Sequence, residues 1–160
     1  MGGSMRKFIT LSACVLMAAT AHAADVQVSE EGLVPYTITD GVAINDSLTG
    51  VAGDAAAGRK LAINRKKGNC LACHAMPIPE QDYHGETAPS LYGVGNRLSE
   101  GELRMQIVNS KVTNEDTMMP SFYRTVGYNR LNKKFKGKTI LSAQEVEDVV
   151  AYLLTLTTDE

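Results

Sequence analysis

The chain has 160 residues, with 16 Lys and Arg against 18 Asp and Glu, which gives a formal net charge of −2 at pH 7. This length suits one domain, and the slight acidic excess argues against nucleic acid as a partner. Beyond the N-terminal region no apolar run is long enough to span a bilayer, so the sequence predicts no membrane span.

The N-terminus predicts export. Residues 5–7 (MRK) are positively charged, residues 8–19 are almost wholly apolar, and residues 21–23 (AHA) form an A-x-A cleavage site. Because the apolar run is too short and wrongly flanked for a transmembrane helix, residues 1–23 are predicted to be a cleaved secretory signal peptide. We therefore expect a periplasmic protein whose mature chain begins at Ala24.

Two further features of the N-terminus bear on where the mature chain begins. Residues 1–4 resemble vector-derived residues or a misassigned start. Residues 11–14 resemble a bacterial lipoprotein box, but the apolar run continues past Cys14, so cleavage after Ala23 is preferred. The mature chain then keeps only Cys70 and Cys73, and its 14 basic and 18 acidic residues give a net charge of about −4.

Residues 24–53 are predicted to form an extended arm with at most one short strand, because they alternate in polarity and are rich in turn residues. In the domain that follows, 54–160, the first helix is predicted to begin at Asp54 as N-cap. It should end near Lys67, in a last turn of three basic residues that suit the helix dipole. Gly58 within this helix costs about 1 kcal/mol relative to alanine. It reflects either the close approach of another helix or simple tolerance.

Residues 70–74 read Cys-Leu-Ala-Cys-His, the C-x-x-C-H signature of covalent haem attachment. Two thiols at this spacing add to the two vinyl groups of one porphyrin, and the histidine that follows is held where its ring nitrogen can ligate the iron. The alternatives are a redox dithiol, which would want a βαβ context, and half of a zinc site, which would need further ligands. Cys70, Cys73 and His74 are therefore predicted to hold one haem c.

The sixth position of this iron needs a second ligand, and the candidates after His74 are Met76, His84, Met105, Met118 and Met119. Met76 is too near the attachment site to reach the other haem face, Met105 lies within a predicted helix, and His84 lies in a Gly-rich turn. The Met118-Met119-Pro120 segment has no helical pattern, so a loop there can carry a thioether across the ring, and the proline stiffens it. Met119, next to the proline, is favoured over Met118, with ordinary core methionine as the alternative.

A haem-ligating histidine needs its other ring nitrogen hydrogen-bonded, which sets the tautomer and the ring orientation. The loop at residues 88–93 follows the attachment site, and the carbonyl group of Pro89 is predicted to accept this bond. A plain turn is the alternative.

Two helices are predicted after this loop, each with a capping box at its start. Ser99 with Glu102 begins the middle helix, which carries Leu103 and Ile107 inward, and Ser142 with Glu145 begins the last one. The last helix repeats apolar residues at the spacing of a buried stripe: Val146, Val149, Val150 and Leu153.

Between these helices lies a basic segment, residues 124–138, with six basic residues and no acidic one: Arg124, Arg130, Lys133, Lys134, Lys136 and Lys138. Such a segment can steer an acidic partner or an anion. The alternative is a solvated loop, which is the commoner role of a charged run.

The order of these features resembles class I cytochromes c, an all-α fold around a covalent haem. The mature chain also resembles the SoxX family, in residues 43–50 (AINDSLTG), 68–74 (GNCLACH), 88–97 (APSLYGVGNR) and 119–124 (MPSFYR). The resemblance implies that Cys70 and Cys73 attach the haem and that His74 and Met119 are its axial ligands. It also implies a cytochrome c domain with an extended N-terminal arm.

SoxX-like proteins are monohaem subunits of the periplasmic SoxAX complex, which joins thiosulfate to a cysteine of the SoxYZ carrier and releases two electrons. The resemblance implies a heterodimer with a SoxA-like cytochrome, and transient contacts with a SoxYZ-like carrier and a downstream electron acceptor. The catalytic cysteine of that family ligates a SoxA haem, and no cysteine is left over in this mature chain. We therefore expect this chain to relay electrons within an enzyme complex rather than form the S–S bond itself.

Two other functions stay open on the sequence. One is a free-standing class I cytochrome c that shuttles electrons to an oxidase or reductase. The other is a haem enzyme or gas sensor whose sixth iron position is open.

Overall fold

The computed structural model describes residues 23–159, so all of the predicted signal peptide except Ala23 lies outside the described residues. Four helices dominate: α1 (Ala55–Ile63), α2 (Val94–Arg97), α3 (Glu100–Asn109) and α4 (Ala143–Leu154). Two short strands, β1 (Val26–Val28) and β2 (Tyr36–Ile38), precede them, and 3₁₀ turns occur at Cys70–Ala72, Ser110–Val112 and Lys133–Phe135. Within 23–159, no helix is long and apolar enough to cross a membrane.

Helix α4 is the centre of the fold, because α1, α2 and α3 all pack against it. Its contact with α1 is closest at Gly58, where an added Cβ would overlap the carbonyl group of Asp148 and lie 2.9 Å from Cβ of Tyr152. The close approach of another helix, rather than tolerance, therefore explains the glycine. Any side chain at this position would push the two helices apart.

Helix α1 begins as predicted but ends earlier. The Asp54 carboxylate accepts hydrogen bonds from the backbone N–H groups of Ala56 and Ala57, which makes it the N-cap. The helix ends at Ile63, so the prediction of an end near Lys67 was wrong, and the three basic residues lie in the turn that follows. The physical reason is that the buried Gly68 donates its N–H to the carbonyl oxygen of Leu61 (3.1 Å), which turns the chain back on the helix.

Both predicted capping boxes are present. The Ser99 hydroxyl accepts from the Glu102 N–H and the Glu102 carboxylate accepts from the Ser99 N–H, and Ser142 and Glu145 do the same at the start of α4. The predicted inward residues of both helices are buried: Leu103, Ile107, Val146, Val149, Val150 and Leu153. The two caps thus fix where each helix begins, and in α4 the apolar stripe faces the core.

The arm contains two strands, where the sequence predicted at most one. β1 and β2 pair antiparallel, with Val26 opposite Ile38 and Val28 opposite Tyr36. Each strand has only three residues, so the alternating pattern did not show that two separate strands are present. The arm is anchored in the same core as the helices, since these apolar residues are at most 5% exposed: Tyr36, Ile38, Ile44 and Leu48.

A buried ion pair ties the arm to α3 and α4. Arg104 of α3 and Glu147 of α4 have side chains 1% and 4% exposed, and Nη2 of Arg104 lies 2.9 Å from Oε2 of Glu147. The guanidinium also donates to the carbonyl oxygen of Ile44 (2.7 Å), and the carboxylate accepts from the N–H of Leu48 (2.8 Å). Two backbone groups of the arm, at Ile44 and Leu48, are therefore bonded to this one ion pair.

We expect Glu147→Gln to lower the free energy of unfolding by about 3–5 kcal/mol, because it leaves the Arg104 charge buried without its buried counter-charge. Glu100 is the matched control, since its carboxylate contacts the same guanidinium at 2.5 Å but its side chain is 59% exposed. Glu100→Gln should cost less than about 1 kcal/mol. Urea unfolding of the haem-loaded protein measures both values, and equal losses would contradict the role given to Glu147.

Candidate haem site

The Cys-Leu-Ala-Cys-His segment forms one tight turn. Residues Cys70–Ala72 are a 3₁₀ turn, and the N–H groups of Cys73 and His74 both donate to the carbonyl oxygen of Cys70, at 3.1 and 2.9 Å. Leu71 is buried in the core, whereas Cys70 is partly exposed and Cys73 exposed, and both thiols are free. The turn is thus anchored from inside, and neither cysteine is used in a disulfide.

His74 is oriented by the carbonyl group that was predicted for it. Nδ1 of His74 lies 2.6 Å from the carbonyl oxygen of Pro89. A carbonyl oxygen only accepts, so Nδ1 carries the proton and Nε2 keeps a free lone pair. This is the tautomer in which Nε2 can bind an iron ion.

The loop that carries Pro89 is held at both ends. The N–H of Ala88 donates to the carbonyl oxygen of Cys73 (3.0 Å), and the N–H of Leu91 donates to that of Ala75 (2.9 Å). Arg97 of α2 donates to the carbonyl oxygens of Ser90 (2.8 Å) and Tyr92 (2.5 Å). No role was predicted for Arg97, because both of its acceptors are backbone carbonyl groups, which a sequence pattern does not identify.

The candidate sixth ligands lie in different environments. Met118 is 82% exposed, while Met76 and Met105 are fully buried core residues. Met119 alone among these methionines is partly buried at the border of the core. The sixth ligand must reach a haem that lies at the edge of the core. Of these four methionines, only Met119 lies at that edge.

His84 is occupied within its own loop. Its Nδ1 lies 3.3 Å from the N–H of Met76, and its Nε2 lies 3.3 Å from the carbonyl oxygen of Ile78. Both ring nitrogens therefore have backbone partners a few residues away. This arrangement fits a residue that closes the loop after His74 better than one that binds iron.

The two alternatives to haem find no support in the structure. Among residues 23–159, no group of three or more His, Cys, Asp or Glu side chains could hold a metal ion. Burial raises the pKa of the free Cys70 thiol to about 11, whereas a reactive dithiol needs a lowered pKa. The residues do fit a haem, with two thiols, a histidine with a free lone pair, and apolar side chains at the core edge: Leu91, Leu98 and Met119.

Comparisons with known proteins identify the family of the chain. A family model described as Cytochrome c matches residues 55–157, which include both halves of the site. The chain belongs to the cytochrome c family. This confirms the class I cytochrome c fold, and the cofactor of this cytochrome is a covalent haem c that serves electron transfer.

One solved structure shows which cytochrome c this chain resembles. A chain in the crystal structure of SoxXA from P. pantotrophus is 40% identical to this cytochrome, with a TM-score of 0.68. The similarity covers 73% of this chain and 91% of that chain, so the predicted resemblance to SoxX is confirmed. A search of curated proteins finds no significant match.

Met119→Ala should remove the near-infrared methionine–iron charge-transfer band completely, lower the reduction potential, and let the reduced protein bind carbon monoxide, because the sixth position is then open. Met118→Ala is the matched control, since the neighbouring side chain is exposed. It should leave the band and the potential unchanged. Retention of the band in Met119→Ala and its loss in Met118→Ala would reverse the assignment.

Proposed function

We propose that this cytochrome is the electron-accepting subunit of a periplasmic SoxXA-type complex that couples thiosulfate to a carrier cysteine. The observation that carries the proposal is the similarity to a SoxXA chain over 91% of that chain. The fixed tautomer of His74 and the half-buried Met119 fit a six-coordinate iron, which suits electron transfer better than ligand binding. A six-coordinate iron also counts against the gas-sensor alternative.

Each site residue has a separate task in this proposal. Cys70 and Cys73 hold the macrocycle covalently, and His74 presents its Nε2 lone pair while Nδ1–H stays on Pro89. Met119 supplies a thioether, a weak donor that favours the reduced state. When bound, the haem would supply a one-electron redox centre at its iron.

The cysteine count assigns the sulfur chemistry to another chain. The mature sequence, 24–160, has no cysteine besides Cys70 and Cys73, and haem attachment consumes both. A thiol or thiolate that could carry a sulfane intermediate is therefore absent from that sequence. We infer that a SoxA-like cytochrome makes the S–S bond and that this chain removes electrons from it toward a downstream acceptor.

The arm, 24–53, belongs to the folded unit in this proposal. Its residues Ile44 and Leu48 lie in the core formed by the cytochrome c domain, 54–160, and its backbone is bonded to Arg104 and Glu147. The arm and the cytochrome c domain therefore form one folded unit in this proposal. Residues 1–23 are proposed to be removed on export.

Affinity purification of the tagged chain from the periplasm of thiosulfate-grown cells tests this function. A second haem protein should co-purify in about equal amount. With that partner, a sulfur carrier and thiosulfate, the haem of this chain should become reduced, as its visible absorption shows. Without the partner it should stay oxidised.

The alternative of a free-standing cytochrome c gives the opposite result. The chain would then purify as a monomer, and thiosulfate with carrier and partner would leave its haem oxidised. Electron delivery to an added oxidase would be independent of any SoxA-like protein. A monomer of this kind would overturn the proposal.

A further inference from the structure

We propose that Glu30, in the turn between β1 and β2, is a positioning residue for Met119. The arm would then act on the sixth iron position and not only on stability. This inference rests on the proposed ligation by Met119. It does not depend on a SoxXA-type partner.

The Glu30 carboxylate contacts the segment that follows Met119. Its Oε2 accepts from the backbone N–H of Thr125 (2.7 Å) and from the Thr125 hydroxyl (3.0 Å), and its Oε1 lies 3.4 Å from Nε of Arg124. The Glu30 side chain is only 8% exposed. Burial by itself raises the pKa of Glu30, but the bonds from Thr125 and the charge of Arg124 outweigh it, so the pKa lies below the ordinary value.

A second contact joins the same two segments. The hydroxyl of Tyr123, a residue 4% exposed, accepts from the backbone N–H of Val34 at 3.0 Å. Glu30 and Val34 lie near the two ends of the turn that joins β1 and β2. Both ends of this turn therefore contact residues 123–125. The contacts span about ninety positions of sequence and are not a local turn.

The end of α3 holds the other side of this segment. The N–H groups of Phe122 and Tyr123 donate to the carbonyl oxygens of Ile107 and Val108, at 3.1 and 3.3 Å. The Ser110 hydroxyl donates to the carbonyl oxygen of Met119 itself (3.2 Å). Residues 119–125 thus lie between α3 and the hairpin, with the thioether at one end and the Glu30 contact at the other.

This arrangement couples the docking of the hairpin to the position of the thioether. Pro120 fixes one backbone angle next to Met119, so displacement of the segment is passed to the ligand rather than absorbed there. The apparent strength of a bond that requires the docked segment is multiplied by the fraction of molecules in which the segment is docked, so it falls as that fraction falls. Loss of the Glu30 contacts should therefore loosen the methionine–iron bond in a protein that is still folded.

The test compares Glu30→Ala with Glu31→Ala in the haem-loaded protein, because Glu31 is an exposed neighbour of the same type. Imidazole added to the oxidised protein competes with the methionine sulfur, and the near-infrared band reports the bound sulfur. In Glu30→Ala the apparent affinity for imidazole should rise on the order of tenfold, since a charged hydrogen bond is removed. The reduction potential should fall. Glu31→Ala should match the unmodified protein in both.

Two further variants keep the test decisive. Glu30→Gln retains an oxygen acceptor for Thr125 and should restore most of the unmodified affinity and band. Tyr123→Phe removes the other hairpin contact and should shift imidazole affinity in the same direction by a smaller factor. If Glu30→Ala does not fold, Tyr123→Phe decides the question, because it removes the second hairpin contact and leaves Glu30 in place.

A purely structural role for Glu30 gives a different pattern. The unfolding midpoint would fall, but the band, the imidazole affinity and the potential of the folded variants would not change, and this would overturn the proposal. Failure of Met119 as ligand would show separately, as a band that survives Met119→Ala. A missing SoxA-like partner would leave all these readouts unaffected.

Discussion

The buried pair of Arg104 and Glu147 is the interaction on which the placement of the other elements depends. Two charges that are almost wholly out of water are tolerable only if their remaining hydrogen-bonding groups are satisfied, and here backbone groups of Ile44 and Leu48 complete the set. Because of this requirement, the arm, α3 and α4 meet at the ion pair. The far end of α3 then supports the segment with Met119, while α4 supports α1 at Gly58.

The haem site is built from loops, and the helices act as its frame. His74 follows a 3₁₀ turn, Pro89 lies in an irregular loop, and Met119 lies in another. Loops of this kind keep a fixed geometry only when their backbone groups are bonded to rigid elements. Arg97 of α2 provides this for the Pro89 loop, and the end of α3 provides it for the segment with Met119. Both proposed axial ligands are thus controlled by residues outside the attachment motif.

Much of the fold was predictable from local sequence patterns, and the predictions that failed did so for physical reasons. The capping boxes at Ser99 and Ser142 were predictable because cap and carboxylate are only three residues apart. The end of α1 was placed four residues too late, because a run of basic residues suits a helix end but does not create one. The ion pair of Glu147 with Arg104 was not predicted, since no local pattern around Glu147 indicates a buried arginine 43 residues earlier.

The sequence by itself determined the cofactor and its attachment, because C-x-x-C-H is a contiguous motif whose chemistry requires that spacing. It also marked His74 as the proposed proximal ligand, and it contains no cysteine after Cys73. Only the tertiary structure decided between Met118 and Met119 as the side chain at the core edge, since exposure depends on which way a loop faces. The role of Gly58 and the contacts of Glu30 were decided there too, because each involves residues about ninety positions away, and no local pattern encodes such a distance.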